Sequence, residues 1–237
     1  MDSIIALIKR ENPDILFMQE VFNSHNKSLE RRFRTVDVFK KEFEDSLFYS
    51  DFKGIAYDPD IEGDMGNAIF TRFQILENAS YFFDVPYGEV HFTGEHDPLW
   101  VPRSLQYVKI NADGVVLNLY NLHGVWGEDG ADNPRRDNMA KVIIENVKGQ
   151  ENVIIAGDTN LNPDTKFVKR IEDDLNLESV FKTSLVSTFN MLHKTNPGYA
   201  TAAVDMIFAS KNFRVIEKYM PMDDVSDHRP LVATLEL

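Results

Sequence analysis

The 237-residue chain contains no cysteine. Disulfides, a thiolate nucleophile and Cys-ligated zinc are therefore excluded. No apolar run has the length that spans a bilayer, so stable membrane insertion is not expected. Positive charge is scarce: 25 Lys and Arg stand against 38 Asp and Glu, a formal net charge of -13. Non-specific duplex binding relies on Lys and Arg contacts to phosphate. The charge balance thus argues against tight binding of long DNA, but it does not exclude a nuclease, because a bound divalent cation offsets acidity locally. Repeats, low-complexity stretches and Pro/Gly/Ser-rich linkers are absent too, and one domain over residues 1–237, acting as a monomer, is expected. Asp2 and Lys9-Arg10-Glu11 interrupt the first apolar stretch. No signal peptide is expected at this start, which leaves the cytoplasm as the default location.

What is present is ordinary for a folded domain: 43% hydrophobic and 27% charged residues. Ile4, Leu7 and Ile8 recur at helical spacing up to Asn12-Pro13. Ile15-Leu16-Phe17-Met18 reads as a buried strand with Gln19-Glu20 at its end. Phe39, Phe43 and Leu47 predict a second helix, and Gly66 to Phe70 a short strand. The segment from Tyr81 to Pro102 reads as an aromatic-rich loop. Leu105 to Ile110 and Val115 to Leu122 flank Asp113-Gly114, a strong hairpin signal. Pro134 opens a helix capped by Asp132 or Asn133, whose apolar face is Met139, Val142, Ile143 and Val147. Val153 to Ala156, Val204 to Ala209 and Leu231 to Leu237 are further strands. Apolar strands alternating with amphipathic helices, beside a hairpin, predict an α/β domain with mixed sheets covered by helices.

Polar residues gather at the predicted strand ends, and each has an ordinary reading when taken singly. Glu20 ends a buried strand, so it is either solvated in a turn, paired or metal-bound. His123 shares strand parity with Leu117 and Leu119; it is either a satisfied structural histidine or a functional one. Asp158 and Asn160, in Gly157-Asp158-Thr159-Asn160, share one side if the chain stays extended. An acid beside an amide suits a water-positioning pair; the competing reading is an Asx turn before a helix opened by Pro163. Asp205 interrupts an apolar run and needs a partner. Asp227-His228 follows Ser226, and an acid such as Asp205 holding an imidazole such as His228 is a recurrent catalytic device.

The order of these segments carries more information than any one of them. Asn12-Pro13-Asp14-Ile15-Leu16-Phe17-Met18-Gln19-Glu20-Val21 resembles the N-P-D-I-hydrophobic-Q-E-V segment of the endonuclease/exonuclease/phosphatase (deoxyribonuclease I-like) superfamily. Gly66-Asn67-Ala68-Ile69-Phe70 and Asn121-Leu122-His123 are similar to its G-N-A-I and histidine-ending strands. Gly157-Asp158-Thr159-Asn160, Val204-Asp205-Met206-Ile207-Phe208 and Ser226-Asp227-His228-Arg229-Pro230 resemble its G-D-x-N, D-x-I and S-D-H-x-P segments. The resemblance implies a four-layer sandwich of two packed, mixed but mostly antiparallel sheets flanked by helices. It implies a metal-dependent hydrolase of phosphoric esters, with Mg²⁺ or Mn²⁺ on Glu20 and, directly or through water, Asp227. Asp158 would activate water, Asn160 would orient it and contact the phosphate, and His228 held by Asp205 would stabilise charge on phosphorus. His123 would contact phosphate or help the leaving group. Arg103 and, near Asp137, Arg135 or Arg136 are further phosphate-contact candidates, with solvated surface the favoured reading of the latter two.

Members of that superfamily begin with an additional strand bearing an Asn near the metal, in a V-x-T-x-N pattern. The match here starts inside the first family helix, so either the chain is a fragment or mis-started, or that strand is truly missing, with an open sheet edge and a weaker metal site as the consequence. For substrate, nucleic acid is the first expectation; a phospholipid or inositol phosphate is the alternative. Tyr81, Phe82, Phe83, Tyr87, His91, Phe92 and Trp100 either form a stacking or lipid-facing surface or pack on the core. A non-catalytic binding module of the same fold is the third reading. Retention of Glu20, Asp158, Asn160, Asp205 and His228 speaks against it.

Overall fold

The computed structural model describes residues 1–92, 94 and 96–237. Helix α1 (Asp2–Glu11) ends where Asn12 turns left-handed at φ 45, and Pro13 cannot continue it. Strand β1 (Ile15–Ser24) follows. Helix α2 (Thr35–Glu42) is shorter than its apolar spacing predicts: Phe43 caps it, and Leu47 reaches the same core from the turn beyond. Strands β2 (Tyr49–Asp58) and β3 (Gly63–Thr71) pair antiparallel, and β3 pairs antiparallel with β1. The short β5 (Gly88–Glu89) adds parallel to β2, completing a four-stranded sheet of order β1-β3-β2-β5.

The second sheet begins with β4 (Gln74–Phe82) beside β6 (Ser104–Ala112). β6 and β7 (Val115–His123) form the expected hairpin, in which Asp113 and Gly114 take φ of 53 and 97. Positive φ at both turn residues is what a two-residue hairpin of this hand requires. β8 (Val153–Asp158) lies parallel to β7 across helix α3 (Pro134–Val147), which Asn133 caps through its side chain. Helix α4 (Lys166–Leu175) starts three residues after Pro163, with Thr165 and not Pro163 at its entrance. Strands β9 (Leu177–Ser179) and β10 (Asp205–Ser210) complete the six-stranded order β4-β6-β7-β8-β10-β9. β11 (Arg214–Tyr219) and β12 (Val232–Glu236) form a separate ribbon.

Each sheet is thus mixed but mainly antiparallel, and among the described residues four α-helices flank the pair. Ile5, Ile8, Val36 and Phe39 pack α1 and α2 on the first sheet. Met139, Ile143, Phe167 and Ile171 pack α3 and α4 on the second. Between the sheets lie Ile69, Val108, Ile110, Leu117, Leu119 and Ile154. The segment expected to be loop from Tyr81 to Pro102 is partly structured: β4 runs through Phe82, β5 intervenes, and a short 3₁₀ turn spans Pro98–Trp100. Phe83 is buried in the core while Trp100 is exposed, so the aromatic segment divides between both expectations.

Candidate active site

Strand parity brings the site together. On β7 the residues Leu117, Leu119, Asn121 and His123 face the space between the sheets. His123 stands in register with Asp158 on β8, and Asp158 with Asp205 on β10. Three chemically active side chains therefore form a row across adjacent strands, about 5 Å apart by the spacing of a sheet. The loops beyond the strands close against each other because glycine lets them. A Cβ on Gly124 would lie 2.2 Å from the Thr159 carbonyl oxygen, and one on Gly157, at φ 140, 2.1 Å from that of Leu122.

The row is electrostatically loaded. Asp158 is buried, and burial followed by the neighbouring Asp205 carboxylate pushes its pKa up to about 7. The backbone N–H of Asn160 donates to Asp158 Oδ1 at 2.7 Å and works the other way. His228 Nδ1 sits 2.8 Å from Asp205 Oδ2. Burial disfavours the imidazolium, yet the charge and hydrogen bond of Asp205, with Asp158 and Asp227, push it up to about 9. His123 is the opposite case: burial, then Arg103 and His228, hold it well below the ordinary histidine value, so its ring is neutral. Its Nδ1 is buried without a hydrogen-bond partner among the described residues.

Glu20 is not at the end of β1. It lies in a bulge between Met18 and Val21 with φ 53, and the strand runs on to Ser24. The bulge turns the carboxylate out of the sheet. Glu20 Oε1 lies 3.8 Å from Arg103 Nη2 and 3.8 Å from His123 Nε2. Arg103 is itself buried: burial draws its pKa down, and the charges of Glu20 and Asp158 oppose that. Its Nη1 donates to the Pro102 carbonyl at 3.2 Å, and its Nε has no partner among the described residues. Beneath Glu20, Gln19 Nε2 donates to Asn121 Oδ1 at 2.6 Å. Asn121 Nδ2 in turn donates to the carbonyls of Met18 and Ala68 and to Gln106 Oε1. This network ties the bulge to the strand that carries His123.

Asn160 departs from the expected geometry. Its φ of 56 means that the chain is not extended after Asp158, and the tetrapeptide is also an Asx turn. Asn160 Nδ2 donates to the Gly124 carbonyl at 3.0 Å, which holds the amide beside the His123 strand. Asp227 is half exposed: burial raises its pKa, but Lys194, with Nζ 2.5 Å from Oδ2, and His228 hold it below the usual range. Arg136 corrects the surface expectation outright, being only 1% exposed, with its guanidinium donating to backbone carbonyls. Arg135 pairs with Asp84 at 2.5 Å and lies over the Trp100 ring.

Sequence reasoning missed the wall formed by residues 188–199. Phe189 packs at 4.4 Å on both the His228 ring and Tyr199, and Lys194 lies over both aromatic rings. These residues have no periodic spacing, so only the bridge between Phe189 and His228 reveals them. Among the described residues, the place where three acid and imidazole ligand atoms converge within 4.8 Å is Asp58, Asp60 and His91. That group could hold a metal ion; it lies on the β2–β3 turn and just after β5, on other segments than Glu20 and Asp227.

A family model described as endonuclease/exonuclease/phosphatase matches residues 1–228. The chain belongs to this family. Its homologues are phosphoester hydrolases, and divalent-metal dependence is typical of them. An endonuclease/exonuclease/phosphatase from Beutenbergia cavernae shares the fold with a TM-score of 0.76 at 16% identity, over 99% of this chain and 65% of that one. The chain therefore spans just under two thirds of that relative's length. A mannosyl-6-phosphatase from Bacteroides thetaiotaomicron gives 0.68 at 20% identity, over 99% and 89% of the two chains. TDP2 of D. rerio, in complex with a single-strand DNA product, gives 0.68 at 17%, over 100% and 91%. A comparison with curated proteins gives no match. Among the described residues, no helix is long and apolar enough to cross a membrane.

Proposed function

We propose that the chain hydrolyses phosphoric esters with a divalent metal, by attack of water on phosphorus. The observation that carries this reading is the row His123, Asp158, Asp205 across three strands, with His228 on Asp205 and Glu20 opposite Arg103. Glu20 would hold Mg²⁺ or Mn²⁺. Its carboxylate is exposed and has only long contacts at 3.8 Å among the described residues, and a hard oxygen donor suits either cation. Asp227, kept ionised by Lys194, would be a second ligand through water. The metal would supply positive charge against the phosphate.

The chain's own residues would do the rest. Asp158, ionised above about pH 7, would take the proton of the attacking water. Asn160 would orient that water and hydrogen-bond the phosphate. His228, protonated through Asp205, would donate to a phosphoryl oxygen as negative charge grows there. Neutral His123 would donate a hydrogen bond to the phosphate or leaving group. Arg103, whose Nη2 lies 3.8 Å from Glu20 Oε1, would contact the phosphate.

For substrate we favour a nucleotide or single-stranded nucleic-acid ester, because the partly exposed Tyr199, backed by buried Phe189, offers stacking surface near His228. A sugar or inositol phosphate is the second reading; the net charge of -13 favours a small ester over a long polyanion. Hydrolysis with Mg²⁺ or Mn²⁺ should be measured on single- and double-stranded DNA, RNA, a phospholipid, an inositol phosphate and a sugar phosphate. The expected result is turnover that EDTA abolishes, that returned metal restores, and that Asp158→Asn lacks. Turnover unaffected by EDTA would overturn the metal-dependent reading.

A further inference from the structure

Among the described residues Arg136 is the largest fully buried side chain, and the carboxylate that pairs with it, Asp129, is mostly exposed. Asp129 Oδ1 lies 3.5 Å from Nη1. The other contacts are backbone carbonyls on two loops. Nε donates to Val125 at 3.2 Å, Nη1 to Ala131, and Nη2 to Asn160 at 2.6 Å. A buried guanidinium is costly unless its N–H groups are used, so this placement is tightly specified. α3 fixes its base: the Arg136 N–H donates to the Asn133 cap at 3.0 Å. The space beside it is closed, since a Cβ on Gly127 would meet Nη2 at 3.1 Å.

Asn160 is the residue that needs such a hold. Its φ of 56 is a left-handed conformation that asparagine accepts more readily than other residues with a Cβ, and its carbonyl leaves the sheet pattern at the end of β8. We propose that Arg136 is a positioning residue: it bolts the Asn160 turn to residues 125–131 and thereby sets where the Asn160 amide stands. The inference rests on the reading of Asn160 as the phosphate-contacting amide. Arg136 itself touches no substrate. It acts through one carbonyl, and the fork geometry that reaches two loops at once is one that lysine lacks.

The test uses the full chain with Mn²⁺ and two probes, bis(p-nitrophenyl) phosphate and p-nitrophenyl phosphate. Arg136→Lys and Arg136→Ala are compared with Asn160→Ala and with each double variant. On the probe that wild type turns over, kcat for Arg136→Ala is expected to fall on the order of 100-fold, the cost of a misplaced contact, with KM changed less than threefold. In the Asn160→Ala background the same change should cost less than about threefold, because two residues acting as one unit are not additive. Guanidinium ion should restore part of the kcat of Arg136→Ala and none of that of Asn160→Ala. A folded Arg136→Ala with wild-type kcat overturns the proposal. So does an equal loss in both backgrounds, which marks a general structural role. If Arg136→Ala does not fold, Arg136→Lys is judged by the same comparison. If wild type hydrolyses neither probe, the hydrolase reading is what fails on them. The Asn160 side-chain NH₂ resonance then decides the positioning: it shifts in Arg136→Lys if the proposal holds, and an unmoved resonance overturns it.

Discussion

The space between the two sheets is dry at one end and polar at the other, and the same strands build both. β7 runs from Leu117 and Leu119 in the dry end to Asn121 and His123 in the polar one. β6 does likewise, from Ile110 and Val108 to Gln106, whose amide donates to Asp51 Oδ2 at 2.7 Å. Hydrophobic burial is non-directional and scales with area, so the dry end settles that the sheets meet. Hydrogen bonds are directional, so the polar end settles where Gln19, and with it the Glu20 bulge, comes to rest. On this division, stability should reside at one end and activity at the other.

Asp158→Asn is expected to have the largest effect and to split the two properties cleanly. On the proposed role of Asp158 as general base, its loss should lower kcat by about 10² to 10⁴. Stability should hold or rise, because the buried like-charge neighbour of Asp205 is gone. Urea unfolding beside steady-state kinetics checks both, and a large loss of stability would break the division. Leu119→Ala is the mirror experiment. Leu119 is fully buried, and its truncation should cost roughly 2–5 kcal/mol. The folded protein should keep kcat within a small factor.

Asn121→Leu probes the seam. It strips the donor from the Met18 and Ala68 carbonyls and the acceptor from Gln19. Unpartnered buried groups cost roughly 1–3 kcal/mol, and a shifted Gln19 should also move Glu20 and weaken metal binding. Unfolding midpoints and Mn²⁺ titration give the two readouts. Unchanged metal affinity with full loss of stability would show that the network serves packing alone.

The dry end and the strand ends were the legible parts of this molecule. Runs such as Val153 to Ala156 and the Asp113-Gly114 turn announce themselves through period and turn chemistry, which are local. The positions of Glu20, Asp158 and Asn160 were legible only through ordered motifs resembling a family; the conformations were not. Nothing local in Gln19-Glu20 signals a bulge, since the extra residue exists only against the β3 register. Asn160 turns left-handed because Asp158 Oδ1 takes its N–H and Arg136 its carbonyl, both of them non-periodic contacts. β2, β4 and β11 carry few continuous apolar residues and give no strand signal of their own, because their partners, not their pattern, make them strands. Phe189 and Lys194 lie in a segment without period, and tertiary contact alone brings them to the site.

The smallest expected effect is also the one that separates the two ends by charge. Asp158 is pushed up to about 7 by burial and then by Asp205, above its ordinary value of 3.8. A carboxyl raised in the folded state binds its proton more tightly when folded. Its contribution to stability is therefore complete below pH 3.8 and is lost as pH rises through about 7. Catalysis runs the other way, since the base acts only when ionised. The rate should climb with pH up to about 7, by about tenfold per unit on the acid side, and then level. A metal ion bound nearby favours the ionised form, so in the loaded enzyme the limb moves toward lower pH. Asp158→Asn should erase both this limb and this part of the pH dependence of unfolding. Leu119→Ala carries no charge and should lower stability by the same amount on either side of pH 7. A loss for Leu119→Ala that varied through that range would mean the dry end sets the burial of Asp158, and the two ends would then be one cooperative unit.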